Sequence, residues 1–217
     1  MEHLKYKKVS LPEMPDNIKQ DLANDVARAR MHDEDLGWNR SSSYHNRTVQ
    51  FNNKNVQSCR THHSHLSDSV ENWIRENVVP HWLYATIAIT HPVSNLHGMH
   101  TDRTRRYVLL YIVERGGDDV VARLYQEKGQ PITRFANNTN QVLITDYNQH
   151  EFEILDESRA QPGEWVIFDS KILHDIQNIE KERVAIHISL DSNFDLDTWT
   201  YTDQSGDFKS EDFYKAL

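Results

Sequence analysis

Two fragments of the chain carry side chains that could do chemistry together: His100-Thr101-Asp102 and, 74 positions later, His174. Nine residues after His174 stands Arg183, at the head of an alternating apolar run. Two imidazoles and one carboxylate are the donor set that holds a non-haem Fe(II) on one face and leaves the opposite coordination positions open for substrates. A guanidinium nearby, permanently charged and shaped as a planar fork, suits an acidic co-substrate. His-x-Asp alone carries no weight: with 13 His and 19 Asp in 217 residues, chance supplies about one such tripeptide, and the chain contains one. Its company gives it meaning. In GEWVIFDSKILHDIQNIEKERVAIHISLD, Gly163 to Asp191, a Gly turn leads into an apolar run, a His, a polar turn and an Arg that opens a second alternating strand.

With those residues in place, the sequence resembles the 2-oxoglutarate- and Fe(II)-dependent oxygenases, whose pattern is His-x-Asp/Glu, a distal His and then an Arg or Lys. Around His174 and Arg183 it looks most like the aspartyl/asparaginyl β-hydroxylase and proline cis-hydroxylase branch, and the resemblance runs from Leu83 to Asp191. It implies a double-stranded β-helix, or jelly roll. It also implies Fe(II) held by His100, Asp102 and His174, with 2-oxoglutarate anchored through its distal carboxylate by Arg183. O2 would be the other co-substrate, succinate and CO2 the released products, and an amino-acid or peptide side chain the hydroxylated substrate. Such chemistry belongs to the cofactor; the protein supplies orientation and a dry pocket, so no general base is required.

The residues themselves carry part of this reading. His100 and Asp102 are two apart, so on an extended segment both side chains point to one side and Thr101 to the other. On the following strand Arg183, Ala185, His187 and Ser189 share a face opposite Val184, Ile186, Ile188 and Leu190, and Ala185 is small enough to leave room beside the guanidinium. A hairpin through the turn near Asn178 would bring Arg183 back beside the metal. The competing reading pairs Arg183 with Glu180 or Glu182 at the surface. Arg106 could take a substrate carboxylate, although Arg103, Arg105 and Arg106 also read as a solvated basic edge. Trp82 and Tyr84 line the pocket or pack in the core. The string Thr61-His62-His63-Ser64-His65 reads as an exposed loop. Two rival functions remain: a metal-binding cupin-like protein without oxygenase activity, and a zinc-dependent hydrolase using His97, His100, Asp102 and His174. Neither needs a carboxylate anchor at Arg183.

The elements that must position these groups are mainly β. Pro15 and Asp16 open a helix in which Ile18, Leu22 and Val26 recur, running to about His32. Residues 38 to 66 read as loop with one short strand at Thr48 to Phe51. Asp68 and Glu71 make a capping-box-like start for a second helix, whose stripe of Val70, Trp73, Ile74 and Val78 is ended by Pro80. Short β-like runs follow: Leu83 to Thr90, Tyr107 to Val113, Val120 to Tyr125, Gln141 to Thr145, Glu151 to Leu155, Trp165 to Phe168 and Arg183 to Leu190. Strands at such spacing without intervening helices predict a sandwich or barrel. We expect one domain, with a helical annex over 1–80, a jelly-roll core over 81–192 and an extension over 193–217. The segment from Trp38 to His65 and the one after Val113 are the expected lids.

Composition limits the partners. A length of 217 residues suits one all-β domain. Net charge of −9 disfavours nucleic acid and anionic membranes. Hydrophobic residues at 37% and a mean hydropathy of −0.76 predict a polar surface, and no apolar run approaches a membrane span. One cysteine, Cys59, excludes an internal disulfide framework, and the N-terminus shows no secretory pattern, so the expected compartment is the cytoplasm.

Overall fold

Each strong periodicity of the sequence becomes an element, and several weakly patterned stretches become strands as well. The protein is seen as a computed structural model that describes residues 5–36, 48–92, 94, 96–102, 105–129, 141–144, 146–190, 194 and 199. In chain order the elements are β1 (Lys7–Val9), α1 (Asp16–Leu36), β2 (Thr48–Phe51), β3 (Lys54–Gln57), β4 (Arg60–Ser64), α2 (Asp68–Asn77), β5 (Tyr84–His91), β6 (Leu96–Asp102) and β7 (Tyr107–Glu114). They continue with β8 (Val121–Glu127), β9 (Gln141–Leu143), β10 (Asp146–Tyr147), a 3-10 turn at Gln149–Glu151, β11 (Phe152–Ser158), β12 (Trp165–Asp169), β13 (Leu173–Gln177) and β14 (Arg183–Leu190).

The strands form a jelly-roll type β-sandwich. One sheet has the order β1-β12-β7-β14-β5-β4, the other β11-β8-β13-β6-β9, and β10-β2-β3 make a small third sheet. In the large sheet β14 is buried along its whole length. Its Val184, Ile186, Ile188 and Leu190 face a core shared with Ile18, Leu22 and Val26 of α1 and Val70 and Ile74 of α2. Burial of each such side chain contributes roughly 1.5–3 kcal/mol, enough to hold both helices on the back of the sheet. The other face of β14 looks toward the second sheet. That division follows from the period of two.

The N-terminal region differs from the expected helical annex, because β1 and β4 join the large sheet beside β12 and β5. Residues 54–64, expected as loop, instead build two strands. Asn52 and Asn53, both at positive φ (50° and 61°), turn β2 into β3, a backbone region asparagine tolerates. β4 then pairs with β5, His63 opposite Ala88. The start of α2 also differs from a capping box: Ser67 makes no side-chain cap bond, and its N–H and hydroxyl both donate to buried Asp25 of α1, at 2.8 Å each. The expected lid over 38–47 and most of the extension over 193–217 lie outside the described residues. Among the described residues no helix is long and apolar enough to cross a membrane.

Candidate functional site

The two fragments that opened the sequence meet on neighbouring strands of the smaller sheet. β13 pairs antiparallel with β6, His174 directly opposite His100, and their ring centroids lie 4.2 Å apart. His174 therefore stands on a strand of its own rather than on an extension of β12. The link from His174 to Arg183 also differs from the expected hairpin: β13 and β14 belong to different sheets, so the chain crosses from one layer to the other. Arg183 faces the site across the sandwich. Gly116 permits the crossing. At φ +87° it accepts the N–H groups of Glu180 and Lys181 on its carbonyl, and a Cβ there would fall 2.8 Å from Cβ of Arg183.

A bulge shapes the cleft-facing side of β6. His97 pairs with Ile176 and His100 with His174, so β6 spends three residues where β13 spends two. The extra residue reverses the alternation, and His97 joins His100 on the cleft side with ring centroids 5.0 Å apart. Strict alternation would have placed His97 on the outer face. Within the bulge the Gly98 carbonyl accepts from Nδ1 of His100 at 2.9 Å, and Nδ1 of His174 donates to the Ile172 carbonyl at 2.8 Å. Each ring thereby has its tautomer set, with Nε2 left as the lone-pair donor, the arrangement in which metal-binding imidazoles are held.

Electrostatics maintain the ligand-competent states. Burial holds His100 down to about 3, reinforced by His174; burial likewise lowers His174, and lowers His97 to about 3. All three rings are neutral at physiological pH. Burial pushes the Asp102 carboxyl up, but Arg105, His174 and His100 outweigh it and hold the group well below the usual carboxylate range. Nε of Arg105 donates to Oδ2 of Asp102 at 2.6 Å, while Oδ1 is buried with no hydrogen-bond partner. An ionised oxygen without a partner, beside two neutral imidazoles, is a vacancy in the bonding that a cation fits. Among the described residues no three His, Cys, Asp or Glu side chains already converge as a ready-made metal cluster. His100, Asp102 and His174 nevertheless have the right donor chemistry for Fe(II) and border a single cleft.

That cleft lies between the two sheets and opens to solvent. Arg183 reaches it from β14. The side chain is 8% exposed and makes no hydrogen bond or ion pair with another described residue. Glu182, one of the two surface partners in the competing reading, instead accepts from Arg30. Burial lowers the Arg183 guanidinium to about 10, with Tyr6 as an opposing influence, so it remains a cation at neutral pH. A buried cation without a counter-charge is costly unless an anion arrives.

The remaining candidates separate. Arg106 sits outside the cleft lining, with Nε 3.5 Å from Asp169 and its guanidinium over the Tyr107 ring. Trp82 packs against the helical core with Arg75 stacked at 4.3 Å. Tyr84 touches the site indirectly, its hydroxyl against Arg105 and its ring stacked on His187. Arg105, read in sequence as part of a solvated edge, is buried beside Asp102.

Sequence reasoning missed His63 and His187. His63 comes from the string expected to be an exposed loop, and its Nδ1 meets the Thr86 hydroxyl at 2.9 Å. His187 is 8% exposed, lies edge-on to His63, and its Nδ1 finds no hydrogen-bond partner on another residue. Burial, then Arg105, lowers both, His63 to about 4. The signal for His187 was its shared parity with Arg183; nothing in the sequence showed which face of that strand lined a cleft.

No protein-family model matches the chain, and no curated protein matches it by sequence. Among solved structures it is similar to AviO1 from Streptomyces viridochromogenes Tue57, with a TM-score of 0.51 at 13% identity over 94% of this chain and 92% of that one. The two share a fold. Weaker likenesses are to a Pseudomonas putida prolyl-4-hydroxylase (TM-score 0.44, 11% identity, 86% of this chain and 93% of that one) and to a Burkholderia pseudomallei oxidoreductase of the 2OG-Fe(II) oxygenase family (0.30, 10%, 85% and 64%).

Proposed function

We propose that this protein is an Fe(II)- and 2-oxoglutarate-dependent oxygenase that hydroxylates an amino-acid or peptide side chain. The observation that carries the reading is one cleft bordered on one side by His100, Asp102 and His174 and on the other by an unpaired, buried Arg183. His100, Asp102 and His174 would hold Fe(II), and Arg183 the distal carboxylate of 2-oxoglutarate. When bound, iron and 2-oxoglutarate supply O2 activation and oxidation of a substrate C–H bond, with succinate and CO2 released. The chain's own part is positional. The Gly98 and Ile172 carbonyls orient the two imidazoles, and the Arg183 fork matches a carboxylate in two parallel bonds. Val108, Leu110 and Phe168 give the cleft an apolar part of its lining.

The substrate class rests on charge and on the cleft wall. A net charge of −9 opposes polyanions, while His63, Thr61, Thr90 and His187 give the wall hydrogen-bonding groups suited to a small polar substrate. The bulge that brings His97 beside His100 favours one second reading, a zinc hydrolase with an additional imidazole ligand.

An anaerobic difference spectrum on adding Fe(II) and then 2-oxoglutarate separates the two. A visible metal-to-ligand charge-transfer band is expected for the oxygenase; its absence, with tight Zn(II) binding and ester or amide hydrolysis, would overturn it. For the substrate, succinate release is followed across amino acids, peptides, alkylated nucleotides and acyl lipids, with mass spectrometry for the gain of one oxygen. Product confined to nucleotides or lipids would refute the class.

A further inference from the structure

Arg105 is a buried cation whose side-chain partners come from three strands. It lies three residues beyond Asp102 at the end of β6, donates from Nε to Oδ2 of Asp102 at 2.6 Å, and from Nη1 to the Tyr84 hydroxyl on β5 and to the Ser189 hydroxyl on β14 at 3.2 Å. Its own carbonyl accepts from the Ser170 hydroxyl at 3.3 Å, and the Ser170 carbonyl in turn accepts the Asp102 N–H at 2.9 Å. Backbone and side chain of Asp102 are therefore held by one connected set of bonds. Arg105 is 8% exposed, Asp102 3% and Ser189 fully buried.

This set treats the two carboxylate oxygens of Asp102 differently. Oδ2 is occupied by a charge-assisted bond, and Oδ1 is buried without a partner. We infer that Arg105 is a positioning residue: it takes Oδ2 out of competition, leaves Oδ1 as the single carboxylate oxygen offered to a metal, and ties that oxygen to the opposite sheet through Tyr84 and Ser189. The inference rests on the proposed metal site, and it gives that site a property that the ligand residues alone do not specify. A free carboxylate rotates and chelates a cation through both oxygens, consuming a coordination position. A carboxylate clamped at one oxygen does not. Lysine cannot substitute fully, because an ammonium is a point charge on a flexible stem, whereas the guanidinium fork spans Asp102 and the two hydroxyls at once. The sandwich thus acts on the metal site from both sheets: β6 and β13 supply the donors, while β5 and β14 hold one donor in orientation.

The test uses Co(II), a spectroscopic stand-in for Fe(II), titrated anaerobically into the full chain and into R105M, R105K and Y84F. R105M is expected to weaken Co(II) binding about ten- to a hundredfold, the usual cost of losing a group that orients a ligand. It is also expected to change the intensity of the cobalt d–d bands, which report coordination number. R105K should fall between R105M and the parent, and Y84F should shift in the same direction by less. Thermal unfolding identifies any variant that does not fold. If R105M is unfolded, R105K carries the test, since it keeps the charge and loses the fork. Parent-like Co(II) affinity with superimposable d–d bands in the folded variant would overturn the role of Arg105. A parent protein that binds no Co(II) would refute the metal site itself, a separate failure.

Discussion

The cleft has a buried arginine at each end, and the two are bonded in opposite ways. Both are 8% exposed. Arg105 spends its fork on Asp102, Tyr84 and Ser189, and its charge is cancelled by the carboxylate beside it. Arg183, on the same strand as Ser189, has neither hydrogen-bond partner nor counter-ion among the described residues. Residue type and depth are therefore equal, and only the partners differ. A saturated cation organises its neighbours; an unsaturated one costs stability until a ligand neutralises it. In the proposed function the ends would have different tasks, orientation at Arg105 and anion capture at Arg183.

The largest expected effect comes from the donors between the two ends. Asp102→Ala and His174→Ala should each abolish the charge-transfer band and substrate turnover while the thermal transition remains cooperative. Turnover near the parent's in either variant, with metal supplied, would remove the distinction between the ends, since no metal would sit between them.

At the unpaired end, Arg183→Met should raise the KM for 2-oxoglutarate at least about tenfold, because a charge-assisted fork contact contributes roughly 1.5–3 kcal/mol. Metal affinity should hold within about twofold, far less than the tenfold change that one such contact represents. The variant should also unfold at a higher temperature in the absence of ligand, since a buried charge without a partner has gone. Superimposable 2-oxoglutarate titrations would show that Arg183 is structural.

A third buried charge extends the comparison behind the site. Asp175, next to His174, points to the outer face of β13, where Tyr125 and Gln177 donate to it. Burial pushes its carboxyl up to about 7, with those hydrogen bonds opposing. An unfolded aspartate titrates near ~3.9, so the unfolded chain releases this proton at lower pH than the folded one. The stability contribution is present below about pH 4 and is lost as pH rises toward about 7. Asp175→Asn should flatten this loss, so that its melting temperature falls less than the parent's between pH 5 and pH 7. Parallel curves would show that Asp175 stays ionised.

The smallest effect is expected from Arg106, which pairs with the buried carboxylate of Asp169 from a partly exposed position outside the cleft. Arg106→Ala should change metal affinity and KM by less than about twofold, far below the tenfold change of one lost contact, because its side chain lies outside the cleft lining. A tenfold loss of activity would bring Arg106 into the substrate site after all.

Much of the architecture was legible because burial imposes a period. Ile18, Leu22 and Val26 marked α1, the stripe from Val70 to Val78 marked α2, and Val184, Ile186, Ile188 and Leu190 marked β14, each pattern needing one apolar face. The strands that carry the candidate ligands had no such mark. LHGMHTD of β6 puts His97, His100 and Asp102 on the cleft face, and LHDIQ of β13 mixes polar and apolar residues on both faces, so alternation of hydrophobicity could not reveal them. The same holds for RTHHS of β4, whose place at the sheet edge is set by pairing with β5.

From the residues alone came the donor types, the two-residue spacing of His100 and Asp102, and the presence of a guanidinium near the second His. Those depend on local chemistry and the period of a strand. Tertiary structure decided what required two distant segments at once. It set the register that places His174 opposite His100, the bulge that turns His97 inward, the crossing between sheets that leaves Arg183 unpaired, and the burial of Arg105 against Asp102. Register and burial are properties of pairs of strands, and a linear pattern records only one strand at a time.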